Sequence, residues 1–161
     1  MGRYYVRWSL FVKVVTVIVT LVLIVVNVRL ISHFDPEKPA QYLVLLCVLL
    51  LPLSVIIVTP IYVELTDKYI IVKRLIGKAV YAYDSIALAE EFTLNNSDIR
   101  IFGSGSFFGY IGIFSNRMLG KYQCAVCNPK EAFMIILKDG RKRAFSCRDK
   151  ELVVESIKRR I

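Results

Sequence analysis

The chain has 161 residues, room for one ordinary domain or for a small domain beside a membrane anchor. It carries 22 Lys and Arg against 13 Asp and Glu, a formal net charge of +9, with 56% apolar residues and a mean hydropathy of +0.55. Such hydropathy excludes intrinsic disorder, and its combination with strong positive charge argues against an ordinary soluble domain, so apolar and charged residues must be segregated along the chain.

Two long apolar stretches come first. Leu10 to Ile31 is interrupted only by Lys13 and Arg29, and Pro39 to Val63 carries no charge. At ~1.5 Å per helical residue each exceeds the ~30 Å hydrocarbon core of a bilayer. Residues 1–63 therefore read as a transmembrane hairpin with spans at about 10–31 and 40–63. Lys13 and Arg29 stand near the span ends, from which long side chains reach opposite interfaces. A cleaved leader would need a small-residue cleavage site, and Arg29-Leu30-Ile31-Ser32-His33 offers none. A pair of buried strands would be shorter.

Ser32 to Pro39 is a short Pro-rich turn between the spans. Arg3, Arg7 and Lys13 lie at the start of the first span, and Lys68, Lys73, Arg74 and Lys78 follow the second. Positive flanks favour the cytoplasm, so both termini are expected there. Tyr4, Tyr5, Trp8 and Tyr62 would form an inner aromatic belt, with Phe34 and Tyr42 at the outer face. Pro52 predicts a kink in the second span. Neither span has a central acid or His, so a proton or ion path has no support in the sequence.

From Glu64 onward the pattern changes to alternation. Residues 64–161 read as a small β domain of about seven strands closed by one C-terminal amphipathic helix. Ile61 to Leu65 is a strand that continues straight out of the second span, with a turn at Thr66-Asp67-Lys68. Tyr69 to Leu75, Ala79 to Tyr83 and Ile86 to Leu94 follow as strands. Ala132 to Lys138 and Arg141 to Cys147 flank Asp139-Gly140, the signature of a two-residue type I′ hairpin. Ser146-x-x-Asp149 resembles a capping box ahead of a helix that runs to about Arg160, with Leu152, Val153, Ile157 and Ile161 on its apolar stripe.

The most unusual segment is Phe102 to Phe114, dense in glycine and aromatic residues. No Gly-Lys-Ser/Thr follows, so it is not a phosphate-binding P-loop, and the spacing of Gly103, Gly105 and Gly109 misses the dinucleotide fingerprint by one residue. Glycines here instead permit bulges and sharp bends in aromatic strands. The aromatics suit a core, with a membrane-dipping loop as the other reading.

At these residues the chain resembles the bacterial pleckstrin-homology-like (PH-like) domain proteins. The shared motif is Gly103-Ser104-Gly105, then Phe108-Gly109-Tyr110 and Gly112, with Ser106 at a frequent glycine position. The likeness continues through Ser115 to Tyr122 and Asn128-Pro129, and Tyr83-Asp84-Ser85-Ile86 looks like a strand-turn segment of the family. It covers about Ile61 to Lys158. The resemblance implies an α+β, mostly β fold: a strongly bent antiparallel sheet capped by a C-terminal helix, here behind two transmembrane helices. It implies no enzyme activity, no cofactor and no metal, and it transfers no binding residues, since one fold hosts many functions.

The residue chemistry agrees. Cys124-x-x-Cys127 is a lone pair, zinc needs four ligands, and His33 is placed across the membrane. Cys47, Cys124, Cys127 and Cys147 read as small apolar residues in a reducing compartment. Without a cytoplasmic His no nucleophile–base–orienter set is visible, and adjacent Glu90 and Glu91 face opposite sides of a strand. Lys73, Arg74, Lys78, Arg141, Lys142, Arg143, Arg159 and Arg160 could face an anionic inner leaflet. No groove-reading motif supports nucleic acid as a partner. The expected role is a non-catalytic, membrane-anchored binding or scaffolding module at the cytoplasmic face of the bacterial inner membrane, with a protein partner or a second copy. The alternative is a sensor for a small molecule or anionic lipid headgroup near Gly103–Gly112.

Overall fold

The computed structural model describes residues 2–33 and 38–161. The expected outer position of Phe34, and most of the turn between the spans, lie outside the described residues. The chain opens with a strand that the sequence reading missed, β1 (Gly2–Tyr5). Helix α1 (Leu10–Ser32) starts at Ser9, whose Oγ accepts a hydrogen bond from Val12 N at 3.2 Å. Helix α2 (Pro39–Val58) stops short of the Val63 expected from hydropathy. Pro60, which lacks an N–H and cannot extend the helix, opens strand β2 (Pro60–Leu65). Pro52 lies inside α2 without ending it.

Both helices are long and apolar enough to cross a membrane, with a mean hydropathy of 2.7 in their most apolar windows. Length and composition alone support this. A core helix of a soluble protein would be mostly buried, yet only 6% of the α1 window and none of the α2 window is buried within the fold. Leu21, Val25, Leu43 and Leu49 are among the exposed side chains.

Strands β3 (Tyr69–Arg74) and β4 (Lys78–Ala82) complete a first sheet in the order β1-β2-β3-β4, all antiparallel. In β1–β2, Gly2 stands opposite Leu65 and Tyr5 opposite Tyr62. The second sheet holds β5 (Ile86–Glu91), β6 (Ile99–Gly105), β7 (Tyr110–Asn116), β8 (Gly120–Val126), β9 (Ala132–Leu137) and β10 (Lys142–Ser146). Its order is β5-β9-β10-β8-β7-β6. The expected single bent antiparallel sheet is thus two sheets, and β8 and β10 run parallel. The β9–β10 hairpin interposes itself between β5 and β8, so β10 meets β8 across a long connection rather than a tight turn.

The main core lies between the sheets. Val63, Ile70 and Val72 of the first meet Phe133, Ile135 and Phe145 of the second, under Val153, Val154 and Ile157 of helix α3 (Lys150–Lys158). The opposite face of the second sheet buries Cys124, Val126, Met134 and Ala144 beneath Phe114, Tyr122 and Leu94. Strand β9 is therefore covered on both sides, which explains its unbroken apolar sequence.

Three local expectations are corrected. The Asp139-Gly140 turn is a three-residue loop, because Leu137 N donates to Arg141 O at 2.9 Å. Only Gly140 there has positive φ, at 83°, whereas type I′ needs two such residues. The capping box does not form: Asp149 is left-handed (φ 58°) and makes no side-chain cap bond, and Ser146 Oγ instead accepts from Cys127 N and Asn128 N. Leu152 and Ile161 point outward, while Val154 takes the inward place, so the buried stripe is Val153, Val154 and Ile157.

Ser146→Ala is expected to cost about 1–3 kcal/mol, because it strands two backbone donors at a buried site, whereas Asp149→Ala costs under about 0.5 kcal/mol. Chemical denaturation of the two variants checks this, and equal losses would restore the capping box.

Candidate functional site

The inner face of the second sheet is covered in two ways. Its β5–β9–β10 half carries the first sheet and α3, and its β6–β7–β8 half faces the helical hairpin. The second covering is incomplete and leaves a half-open cavity of about 770 Å³. Pairing across the sheet sets its floor. One row is Phe102, Ile113, Gln123 and Arg143, and the next is Ser104, Ile111, Ala125 and Phe145. Each row shares a face because directly paired residues point the same way. Leu23 of α1 and Val48, Pro52, Val55 and Val58 of α2 form the roof. Arg74 and Tyr81 of the first sheet close one side.

The glycines make this floor possible. Gly103 (φ 109°) and Gly112 (φ 136°) are register partners. A Cβ on Gly103 would overlap the Ile111 carbonyl and lie 2.8 Å from Gly112 Cα, and a Cβ on Gly112 would overlap the Phe102 carbonyl. Close backbone approach therefore requires both glycines. A bulge between Arg100 and Phe102 shifts the register just before this pair. The aromatics do not form the single core expected. Phe114 is buried, Tyr110 packs partly against the outer cluster, and Phe102 is 74% exposed at the cavity.

The turn of this hairpin docks on the base of α1. Phe108 N donates to Thr16 Oγ1 at 3.0 Å, and the Trp8 and Phe108 rings meet edge to face with centroids 5.4 Å apart. Ser9 N donates to Cys127 O at 3.1 Å, and Ile76 N to Ile57 O at 3.4 Å. Of the expected inner belt, Tyr5 and Tyr62 pair at 5.9 Å, and Arg3 lies over the Tyr62 ring while bonding Glu64.

The eight basic residues do not form one patch. Lys73 and Lys78 are register partners at the end of the first sheet near the helices, where Arg74 pairs with Pro60. Arg160 holds the other end, donating to Tyr83 Oη at 2.9 Å and to Thr66 O at 3.3 Å. Arg159 pairs with Glu155, Arg141 pairs with Asp139, and Lys142 Nζ donates to Leu119 O. The Arg141 guanidinium holds the Asp139 carboxyl below its ordinary value. Arg74 and Arg143 enter the cavity instead.

No group of three or more His, Cys, Asp or Glu able to hold a metal is found among the described residues. Burial pushes the thiols of Cys127 and Cys147 up to about 12, and that of Cys124 up as well. A raised thiol value leaves little thiolate at neutral pH, and none of these cysteines is bonded to another. Burial and a hydrogen bond to Asp98 likewise raise the Tyr122 phenol.

A family model described as Bacterial PH domain matches residues 61–161. The chain belongs to the bacterial PH domain family. PH domains are typically non-catalytic binding modules. The match begins within β2, so the first sheet of this PH domain is completed by β1, a strand from before the first helix. No curated protein and no solved structure matches the chain.

The glycine motif lies on the hairpin that contributes to the cavity floor, but the cavity residues supplied by other elements were not singled out as a set. Gln123 and Val55 carry no local signal, and their convergence depends on how the helices lie over the sheet.

Two outcomes follow from this geometry. Gly112→Ala should destabilise the PH domain by more than about 2 kcal/mol through strain and backbone overlap, whereas Gly120→Ala, at positive φ in open space, should cost only about 1 kcal/mol. Thermal unfolding of both variants measures the difference. Cys124, Cys127 and Cys147 should resist alkylation at pH 8 in the folded protein and react once it is unfolded. Since the folded thiols ionise later than unfolded ones, their contribution to stability falls as pH rises from about 9 toward about 12. Mass spectrometry of labelled peptides and a pH series of unfolding curves check the two statements.

Proposed function

We propose that this chain is a membrane-anchored binding module, with α1 and α2 crossing the bacterial inner membrane as a hairpin and the PH domain held at the cytoplasmic face. The observation that carries this reading is the pairing of β1 with β2. These strands flank the helical hairpin at its two ends, so any crossing by α1 must be undone by α2. Apolar side chains exposed along both helices favour a lipid surrounding over water. The excess of Lys and Arg on the domain side favours the cytoplasm. Lys73 and Lys78, at the helix-proximal end, are the basic residues best placed to meet anionic headgroups, each worth ~1 kcal/mol near such a surface. Arg159 and Arg160 are committed to the opposite end.

The partner in this reading is another protein or a second copy. Strand β6 is a free edge of the second sheet, and Ile99 and Ile101 along it are exposed. Unpaired edge strands with apolar side chains are templates for strand addition. A second reading is favoured by the cavity: a sensor that takes a small molecule or an anionic headgroup beside Gly103 and Gly112.

Reporter fusions test the anchor. Fluorescent protein fused to either terminus should light up in the cytoplasm, the chain should stay in membranes through carbonate washing, and protease added to intact cells should leave the domain uncut. An exported terminus, or release by carbonate, rejects the reading.

A further inference from the structure

Resting on the sensor reading above, we propose that the cavity binds an amphiphile consisting of an acyl chain that ends in an acid group, with Arg74 and Arg143 holding the acid. The lining is segregated in the way such a ligand requires. Its helix side is apolar apart from Ser54, with Leu23, Val48, Val55 and Val58 facing Phe102 and Ile113. Phe102 is 74% and Ile113 43% exposed, so apolar surface is left uncovered along a half-open groove. At about 25 cal/mol per Å², covering such surface is a strong drive for an apolar occupant. From Val48 to Val58 the roof runs ~15 Å along the helix axis, a length on the scale of one acyl chain.

The cationic groups stand on the domain side. Arg74 is in register with Pro60, which follows the C-terminal end of α2, so it lies beside Val58 rather than Val48. Its Nε is buried and meets no partner among the described residues. Neither Arg74 nor Arg143 has a carboxylate within ion-pair distance among the described residues, although five other arginines do. Arg143 spends one N–H on the Lys142 carbonyl at 3.3 Å, and its cavity neighbour Gln123 supplies a neutral donor and acceptor. A guanidinium with no carboxylate partner beside an apolar groove is suited to a carboxylate or phosphate, which accepts charge-assisted and bidentate hydrogen bonds. A hydrocarbon without a head would leave Arg74 Nε unsatisfied, and a free phosphate would leave the apolar walls bare.

The acid could be that of a free fatty acid or of an anionic phospholipid, and the experiment separates them. The full chain, purified in non-ionic detergent, is titrated with palmitic acid, methyl palmitate, phosphatidylglycerol and phosphatidylcholine while thermal unfolding and native mass spectra are recorded. Palmitic acid or phosphatidylglycerol should raise Tm and appear as a bound mass at one equivalent, and whichever is retained identifies the source. The uncharged ester and phosphatidylcholine should not. Arg74→Gln and Arg143→Gln should each weaken the response at least about tenfold, as loss of a charge-assisted hydrogen bond implies, while Arg141→Gln leaves it intact. Val55→Trp, which fills the roof, should abolish it in a chain whose unliganded Tm is retained.

Equal responses to acid and ester that Val55→Trp removes would overturn the acid specificity and leave a sensor of neutral amphiphiles. Unchanged affinity in both arginine variants would overturn their role. Absence of any response would reject the sensor reading itself, without touching the membrane topology, which is read by the reporter fusions.

Discussion

Four residues before the first helix constrain everything that follows. By pairing with β2, β1 ties the two ends of the apolar hairpin into one sheet. Two helices of this length, left to themselves, could lie at many angles to a following domain. Here α1 leaves one strand of the sheet and α2 returns into its neighbour, and the backbone hydrogen bonds between those strands hold the helix bases together. The Phe108–Thr16 and Ser9–Cys127 hydrogen bonds then press the larger sheet against the base of α1. The PH domain and the hairpin are consequently one packed unit at their junction, and the cavity exists only because that junction is held there.

The larger sheet answers to the same constraint. One half of its inner face is satisfied by the first sheet and α3. The other half, from β6 to β8, has no sheet opposite it and relies on the helices. A helical roof lies less closely on a flat strand floor than a second sheet does, particularly where Gly103 and Gly112 supply no side chains. The void at that place is therefore a consequence of the architecture. Its two arginines lie apart from the ion pairs that occupy Arg3, Arg141 and Arg159.

Much of the chain was legible without coordinates, for identifiable reasons. The first apolar run gave α1 within a residue of its observed end, because uninterrupted apolar length admits few other structures. Tyr69 to Leu75 was readable as a strand because the β-branched residues Ile70, Ile71 and Val72 run together there, and β3 covers Tyr69–Arg74. The failures share a cause. Ser146 and Asp149 carry the letters of a capping box, but Ser146 is turned inward to the Cys127 and Asn128 amides, a long-range contact that local spacing cannot reveal. Gly2 to Tyr5 is too short to announce itself as a strand and forms one only because β2 lies alongside. Val154 replaced Leu152 on the buried face because the sheet beneath α3, rather than helical periodicity alone, sets which stripe is covered.

By itself, the sequence determined the apolar helical pair, the basic, strand-rich remainder and the glycine-aromatic hairpin. These follow from composition and short-range pattern, where hydrophobic length and residue chemistry act locally. Only the tertiary structure decided that the strands separate into two sheets, that β8 and β10 run parallel, and which basic residues meet one another. It alone brought Arg74 from the first sheet and Arg143 from the second to one cavity under α2. Strand order and helix placement depend on burial summed over residues distant in the chain, and no local window of sequence contains that sum.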